Sequence, residues 1–367
     1  MKLGTTVNGY LVTSRPCNDD AGKCVWAFAE RAGKPYFIKR FLEPKRPRPD
    51  STASTRSQEL RMQECAEFER RHLQVGGLLR QRHGEPGSGN LVIPLDFFVV
   101  GSTYYKVTEK VEVAEQGPET FDAQHKLVLL RTLGLSLRLL HAIGVVHGDL
   151  KPTNVLIERK PASAAFHPAK LIDFDDAYVS GEPPPPGVVG GDQLFGSPEW
   201  LRYMKEDPRV RRRDLTVRSD MFSMGLMTHH YLTQRLPSHD PAFGSPAEAV
   251  AEGAPLEFDP RLAAPMRELL GALASTDPRA RPDIDEFLST VKDTQLCELG
   301  PGAVPGAPGR AAGERASGGT PAASARPSRL RMTSFGTPTP PVPPTPKPSS
   351  PPARGSRLHI NLGDDRP

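Results

Sequence analysis

His147-Gly148-Asp149-Leu150-Lys151-Pro152-Thr153-Asn154-Val155-Leu156-Ile157 ends in an apolar run that predicts a short strand. A second apolar run, Leu171-Ile172-Asp173-Phe174-Asp175, follows it. Two short strands so placed carry Asp149, Lys151, Asn154 and Asp173 on or beside one turn. Phosphoryl transfer calls for groups of these kinds. One carboxylate orients the attacking hydroxyl, a cation steadies the transferring group, and an amide plus a second carboxylate hold Mg²⁺. A plain hairpin with polar turn residues would need no such set. The set sits behind the apolar stretch Leu139 to Val146, runs on through Lys151-Pro152, and has its second carboxylate 24 residues after Asp149.

The arrangement resembles the catalytic and metal-binding loops of the protein kinase superfamily, whose patterns are H-R-D-L-x-x-x-N and D-F-G. Later stretches extend the likeness. Arg218-Ser219-Asp220-Met221-Phe222-Ser223-Met224-Gly225 is similar to the start of the family's long central helix. Leu269 to Ala274 and Asp277-Pro278-Arg279-Ala280-Arg281-Pro282 are similar to its late helix and D-P-x-x-R-P turn. The resemblance implies an α+β, two-lobed kinase fold over about residues 8–296, with a first lobe at 8–108, a hinge at 109–112 and a second lobe at 113–296. It implies ATP and Mg²⁺ as cofactors. Asp149 and Lys151 would be catalytic, Asn154 and Asp173 would bind the metal, and Asp220 would cap its helix while bracing the catalytic loop.

In the first lobe, Gly9 to Thr13 and Cys24 to Ala29 predict two strands, Arg31 to Lys34 a tight turn, and Tyr36 to Phe41 a third strand. Lys39 lies among apolar neighbours, which is costly unless its charge is paired; by resemblance it contacts the α- and β-phosphates. The helix expected over 57–74 places Met62, Cys65, Ala66 and Leu73 on one face. Glu69 shares that face and is the acid assigned to Lys39, with Glu64 and Glu67 nearby. Strands follow at 91–100 and 103–108. By resemblance, Thr108 then takes the gatekeeper place, and the backbone of Glu109 and Val111 would bond adenine. The lid departs from the family: between the first strands only Gly22 stands where three glycines are usual, and Asp19 and Asp20 would repel phosphates if they pointed inward.

A buried helix is expected over 125–143. After it, Gly148 replaces the arginine that in many kinases binds a phosphorylated activation loop, which implies activity independent of such phosphorylation. Asp175 replaces the glycine of D-F-G and adds a carboxylate beside the metal site. The segment from Asp175 to Trp200 is the candidate for the family's activation loop. Gly196-Ser197-Pro198-Glu199-Trp200 aligns in two ways, either as the substrate-facing segment, favoured by the distance to Asp220, or as the source of a glutamate, Glu199, that pairs with Arg281. The first leaves that glutamate missing or shifted to Glu206. His-Gly-Asp with Asp-Phe-Asp-Asp is also similar to small-molecule phosphotransferases of the aminoglycoside and choline kinase type; Lys151 and the Asp220 and Arg281 stretches favour a protein substrate.

Composition narrows the rest. Among 367 residues with net charge +4, nine Lys/Arg against four Asp/Glu fall from Glu298 onward, so the body of the chain is near neutral. A nucleic-acid-binding domain should instead be basic on one face. The basic clusters Lys45 to Arg48 and Arg211 to Arg213 read as solvated loops, with docking of an acidic partner as the other reading. No 18-residue run lacks charge, so no membrane span is expected. The start is unlike a signal peptide, and Cys17, Cys24, Cys65 and Cys297 read as reduced thiols of a cytoplasmic protein. Residues 297–367 predict a disordered basic tail rich in Pro, Gly, Ala and Ser. Gly336 to Pro346 favours polyproline II and an SH3- or WW-like partner, and Leu358 to Leu362 would add to a partner as a strand. Richness in Ala, Arg, Gly and Pro points to a GC-rich bacterial genome. The expectation is an ATP/Mg²⁺-dependent serine/threonine protein kinase of eukaryotic type. A scaffold that keeps the fold without the activity is the non-enzyme alternative, which the missing glycines favour and the five retained groups (Lys39, Asp149, Lys151, Asn154, Asp173) oppose.

Overall fold

The computed structural model describes residues 1–301 except 19–21, 23, 49–51, 83, 86, 162, 163 and 165. Asp19, Asp20 and nearly all of the proline-rich tail, with its expected disorder and partner, lie outside the described residues.

Alternating apolar and polar side chains build the first lobe as one antiparallel sheet. Its strands are β1 (Thr6–Val7), β2 (Tyr10–Val12), β3 (Cys24–Arg31), β4 (Lys34–Phe41), β5 (Asp96–Val100) and β6 (Thr103–Glu109), in the order β1-β2-β3-β4-β6-β5. Ala32 and Gly33, at φ 52° and 75°, make the two-residue turn between β3 and β4, whose left-handed backbone suits the strand twist. Tyr10, Val12, Ala27, Ala29, Ile38, Tyr105 and Val107 form an apolar layer on one face. The register pairs Phe28 with Phe37 and Trp26 with Lys39, then Lys39 with Lys106 and Phe37 with Thr108, so these six share the other face. The strand expected over 91–100 is confined to Asp96–Val100. Pro94 has no N–H to give a ladder, and the Val92 amide instead donates to the Leu171 carbonyl of the second lobe (2.9 Å).

Helix α1 (Thr55–Gln81) starts on Ser54, whose hydroxyl accepts from the Ser57 amide, and is longer than the expected 57–74. Its buried line is Cys65, His72, Val75, Gly76 and Leu79. Met62 and Leu73, placed by the periodicity on the buried face, are 51% and 54% exposed. Aromatic packing overrode the aliphatic count, because Phe68 and His72 meet Phe41 and Phe97 of the sheet.

The second lobe packs α2 (Ala123–Ala142) against α4 (Val217–Thr233) and α7 (Ile284–Thr290), α6 (Ala264–Leu273) against α4 and α7, and α3 (Pro198–Met204) beside α5 (Pro246–Ala251). Leu127, Leu129, Leu130, Leu133, Leu137 and Leu140 of α2 enter one continuous apolar core. Two short ladders lie on this core: β7 (Val145–Val146) with β10 (Tyr178–Val179), and β8 (Val155–Ile157) with β9 (Ala169–Leu171). No helix among the described residues is long and apolar enough to cross a membrane.

The two alignments of Gly196 to Trp200 are resolved by a buried ion pair. The Arg281 guanidinium forks onto both oxygens of Glu199 at 2.7 and 2.8 Å. The Ser219 hydroxyl donates to Glu199 (2.7 Å), and Arg281 also donates to the carbonyls of Ser275 and Arg218. Glu199, not Glu206, is the partner of Arg281. Removing one member would strand a buried charge. We expect Arg281→Ala and Glu199→Gln each to lower unfolding free energy in urea by about 3–5 kcal/mol, whereas Glu206→Gln leaves it within about 0.5 kcal/mol.

Candidate active site

The turn between β7 and β8 is set from below by α4. The Asp220 carboxylate, buried within the lobe, accepts from the amides of His147 (2.8 Å) and Gly148 (3.2 Å) and lies 3.2 Å from His141 Nε2. The bracing expected of Asp220 is therefore present. The capping is not, because α4 is capped by Thr216, whose hydroxyl accepts from the Arg218 amide. His147 donates from Nε2 to the Ile172 carbonyl (3.0 Å) and accepts the Asp149 amide on Nδ1 (3.3 Å), so its proton sits on Nε2. The imidazole thereby ties the catalytic turn to the chain leading into Asp173. Phe174 packs on the same ring, centroids 5.2 Å apart.

Asp149, Lys151 and Asn154 meet within this turn. The Asn154 amide donates to the Asp149 carbonyl (2.8 Å) and Oδ2 (3.0 Å), and Lys151 Nζ lies 2.8 Å from the same Oδ2. Burial alone would lower the Lys151 value, but Asp149 beside it holds the ammonium above its usual range. The other carboxylate oxygen, Oδ1, is buried without a partner. A buried acceptor held on one side and unpaired on the other is suited to take a hydrogen bond from an incoming hydroxyl. The Ile172 amide donates to the Asn154 carbonyl (3.0 Å), which seats Asp173 next to this turn. Asp173 has φ 63°, a left-handed backbone that Asp tolerates better than most residues.

Lys39 reaches across from β4. Its Nζ is 2.9 and 2.8 Å from the two oxygens of Asp173 and 2.8 Å from Asp175 Oδ2. Burial would lower its value, but Asp175 and Asp173 more than reverse that. Lys106, opposite Lys39 on β6, forms a short ion pair with the other oxygen of Asp175. Against the burial that would favour its neutral form, Lys106 and Lys39 hold Asp175 well below the usual carboxylate range.

Glu69 does not join them. It accepts from Arg46 Nε (2.9 Å) and Nη2 (2.7 Å) and takes a short hydrogen bond from the Tyr104 hydroxyl. The assignment of Glu69 to Lys39 is thereby corrected. Arg46 competes for the acid at the rim, and Phe68 and Tyr104 pack together next to it, centroids 5.1 Å apart. The same contacts correct the reading of Lys45 to Arg48 as a solvated loop, since Lys45 also donates to the Phe41 carbonyl (2.9 Å). Arg211 to Arg213 line an open cavity of about 700 Å³ with Arg70, Gly181 and Glu182, and Arg212 is tied to the Pro183 carbonyl (2.8 Å).

At the hinge, Glu109 closes β6, its carbonyl accepts from the Thr108 hydroxyl (3.2 Å), and Val111 is half-buried just beyond it. Between this hinge and Lys39 the sheet presents the half-buried rings of Phe28, Phe37 and Trp26, with Lys110 over Phe28 at 5.0 Å. These rings, with Lys106, Asp176 and Asp192, were missed by motif reading. Strand alternation holds the signal for the first four, since all share the face of Lys39. Asp192, 3.6 Å from Lys151, has none, because only folding of the activation segment brings it there.

Residues 21–291 match the protein kinase domain family, over an interval that contains every site residue named above. The chain belongs to that family. Its relatives include serine/threonine-protein kinase pkn2 of Myxococcus xanthus, 31% identical over 48% of this chain and 19% of that protein. Serine/threonine-protein kinase ULK3 of Xenopus laevis is 29% identical over 44% of this chain and 32% of its own length. Serine/threonine-protein kinase PknA of Corynebacterium glutamicum gives the same three figures. The chain thus spans a third or less of these relatives' lengths.

Asp176 carries a pH signature. Burial, then Asp149 and Asp175, push its carboxyl up to about 6. The folded state therefore holds this proton more tightly than the unfolded chain. Its contribution to stability is largest below about pH 4 and is lost as pH rises through about 6. Asp176→Asn should be more stable than wild type at pH 7.5 by on the order of 2 kcal/mol, the gain shrinking toward zero near pH 4. Urea denaturation of both proteins across that range checks it.

Proposed function

We propose that the chain transfers the γ-phosphoryl of ATP to a serine or threonine hydroxyl of a protein, with Mg²⁺. The observation that carries this is Asp149, fixed by Asn154 and Lys151 on one oxygen with its other oxygen buried and unpaired. A substrate hydroxyl hydrogen-bonded to that oxygen would be oriented for attack and would give up its proton there. General-base help of this kind is typically worth about 10²–10⁴-fold. Lys151, held at the same carboxylate, would offset charge on the transferring phosphoryl. Lys39 would hold the α- and β-phosphates, and the backbone of Glu109 and Val111 would bond adenine above the rings of Phe28 and Phe37, which offer a stacking surface.

The donor set suits Mg²⁺, which is usually held by one or two carboxylates together with phosphate oxygens and water. Asp173 supplies the carboxylate and Asn154 the amide oxygen, its NH₂ being already committed to Asp149. Bound there, the ion would supply charge neutralisation on the phosphates. The serine/threonine kinases among the relatives, and Lys151 two residues after Asp149, support a protein hydroxyl over a small molecule as acceptor.

Independence from activation-loop phosphorylation is part of the same reading. Gly148 has φ 79°, and a Cβ there would stand 2.7 Å from the Asp176 carbonyl, so an arginine does not fit this turn. The activation segment is instead held by Glu199, which pairs with Arg281, and by the Trp200 indole, which donates to the Gly190 carbonyl (2.7 Å).

Labelled γ-phosphate from ATP/Mg²⁺ should appear on a generic basic protein substrate. Asp149→Asn and Asp173→Asn should each cut the rate by at least about 100-fold, with both variants shown to be folded by circular dichroism at the assay temperature. Phosphatase treatment beforehand should leave the rate unchanged. Absence of label from the wild type, with no ATP-dependent change in melting temperature, would favour a binding scaffold.

A further inference from the structure

Lys39 and Lys106 stand directly opposite on β4 and β6, on one face of the sheet. Both side chains are nearly buried, 10% and 6% exposed. Like charges directly across a ladder repel, and burial strengthens the repulsion. Asp175 resolves it by giving one oxygen to each ammonium. With Asp173 the four side chains make a neutral cluster of two lysines and two carboxylates.

The cluster leaves no place for an acid from α1. On the helix face towards the sheet, Phe68 and His72 pack with Phe41, Phe97 and Tyr104, ring centroids 4.1–6.0 Å apart along the series. Glu69 is satisfied by Arg46 and Tyr104. Yet Lys39 needs a carboxylate besides Asp173. When Asp173 turns to the metal, a lysine paired with Asp173 alone would lose its anchor. Asp175 meets the need, because Lys106 holds its other oxygen while Oδ2 stays on Lys39.

We propose that Asp175 is the carboxylate that positions Lys39 for the nucleotide phosphates, and that Lys106 fixes Asp175 in that place. Both are positioning residues, and α1 supplies none. The inference rests on the kinase reading of Lys39, and its test separates the two.

Dissociation constants of ATP and of adenosine, both without metal, are measured for wild type, Lys39→Met, Asp175→Asn, Lys106→Met and Glu69→Gln. Asp175→Asn and Lys106→Met should weaken ATP roughly tenfold, the worth of a charged hydrogen bond. Adenosine, which lacks phosphates, should bind each variant as it binds wild type. Glu69→Gln should change neither ligand beyond about twofold. Should Asp175→Asn unfold, the double variant Lys106→Met/Asp175→Asn keeps the cluster neutral and must show the same selective loss of ATP. Equal loss of ATP and adenosine would overturn the inference in favour of a purely structural role. Undiminished ATP affinity in Asp175→Asn, or a larger loss in Glu69→Gln, would overturn it too. In all three of those outcomes the kinase reading stands, provided Lys39→Met weakens ATP. A wild type that binds no ATP, or a Lys39→Met that binds it as well, would overturn both.

Discussion

The grip of Asp220 on two backbone amides is the constraint from which the site is built. An aspartate inside an apolar helix is tolerated only if its oxygens are satisfied. Here they are satisfied by the amides of His147 and Gly148 and by His141, all on or next to the catalytic turn. The apolar core therefore fixes the turn through one charged group. From the turn, His147 reaches the Ile172 carbonyl and Asn154 reaches Asp149, so Asp149 and Asp173, the carboxylates proposed to act on the hydroxyl and the metal, inherit the position of α4. Glu199 and Arg281 do the same for the activation segment, since Ser219, next to Asp220, also donates to Glu199.

Charge balance governs the other side of the cleft. Four ionised side chains in one nearly buried cluster are tolerable only because they alternate in sign and touch. Lys39 is held from two carboxylates, Asp175 from two ammoniums. The acid assigned to Lys39 from α1 sits outside this cluster, at the Arg46 rim. His72 obeys the same rule. Burial, followed by the charge of Lys106, holds its imidazole well below its ordinary value, so it enters the aromatic layer neutral.

The second lobe was legible because its function is carried by short local spacings. Asp149, Lys151 and Asn154 lie within six residues, and a turn of that length leaves few ways to place them. The fold class and the pairing partner of Asp220 followed from the same strings. The first lobe was less legible because its contacts span strands. Nothing local to Glu69 says that Arg46 will reach it across a loop. Nothing local to Met62 says that His72 and Gly76, poor markers of burial, will take the inner face of α1. Lys106 was open to discovery: strand alternation puts it on the Lys39 face, and only attention to motifs passed it over. The Glu199 alignment turned on a tertiary ion pair between residues 82 positions apart, which no spacing rule contains.

The departures from the family pattern come in matched pairs, and that bears on whether the site is built to work. Glycine in place of the arginine at 148 is matched by the Asp176 carbonyl, which occupies the space a side chain would need. Asp175 in place of glycine is matched by Lys106, a lysine where a strand facing the cleft would ordinarily bury an apolar residue. The displaced Glu69 is matched by Arg46 and by the Tyr104 hydroxyl. Loss of function would remove a group and leave its partner stranded, at a cost of about 3–5 kcal/mol for a buried charge. No stranded ammonium or carboxylate is found among Lys39, Lys106, Asp173 and Asp175. Asp149 Oδ1, buried and without a partner, is the oxygen that the proposed phosphoryl transfer would need open.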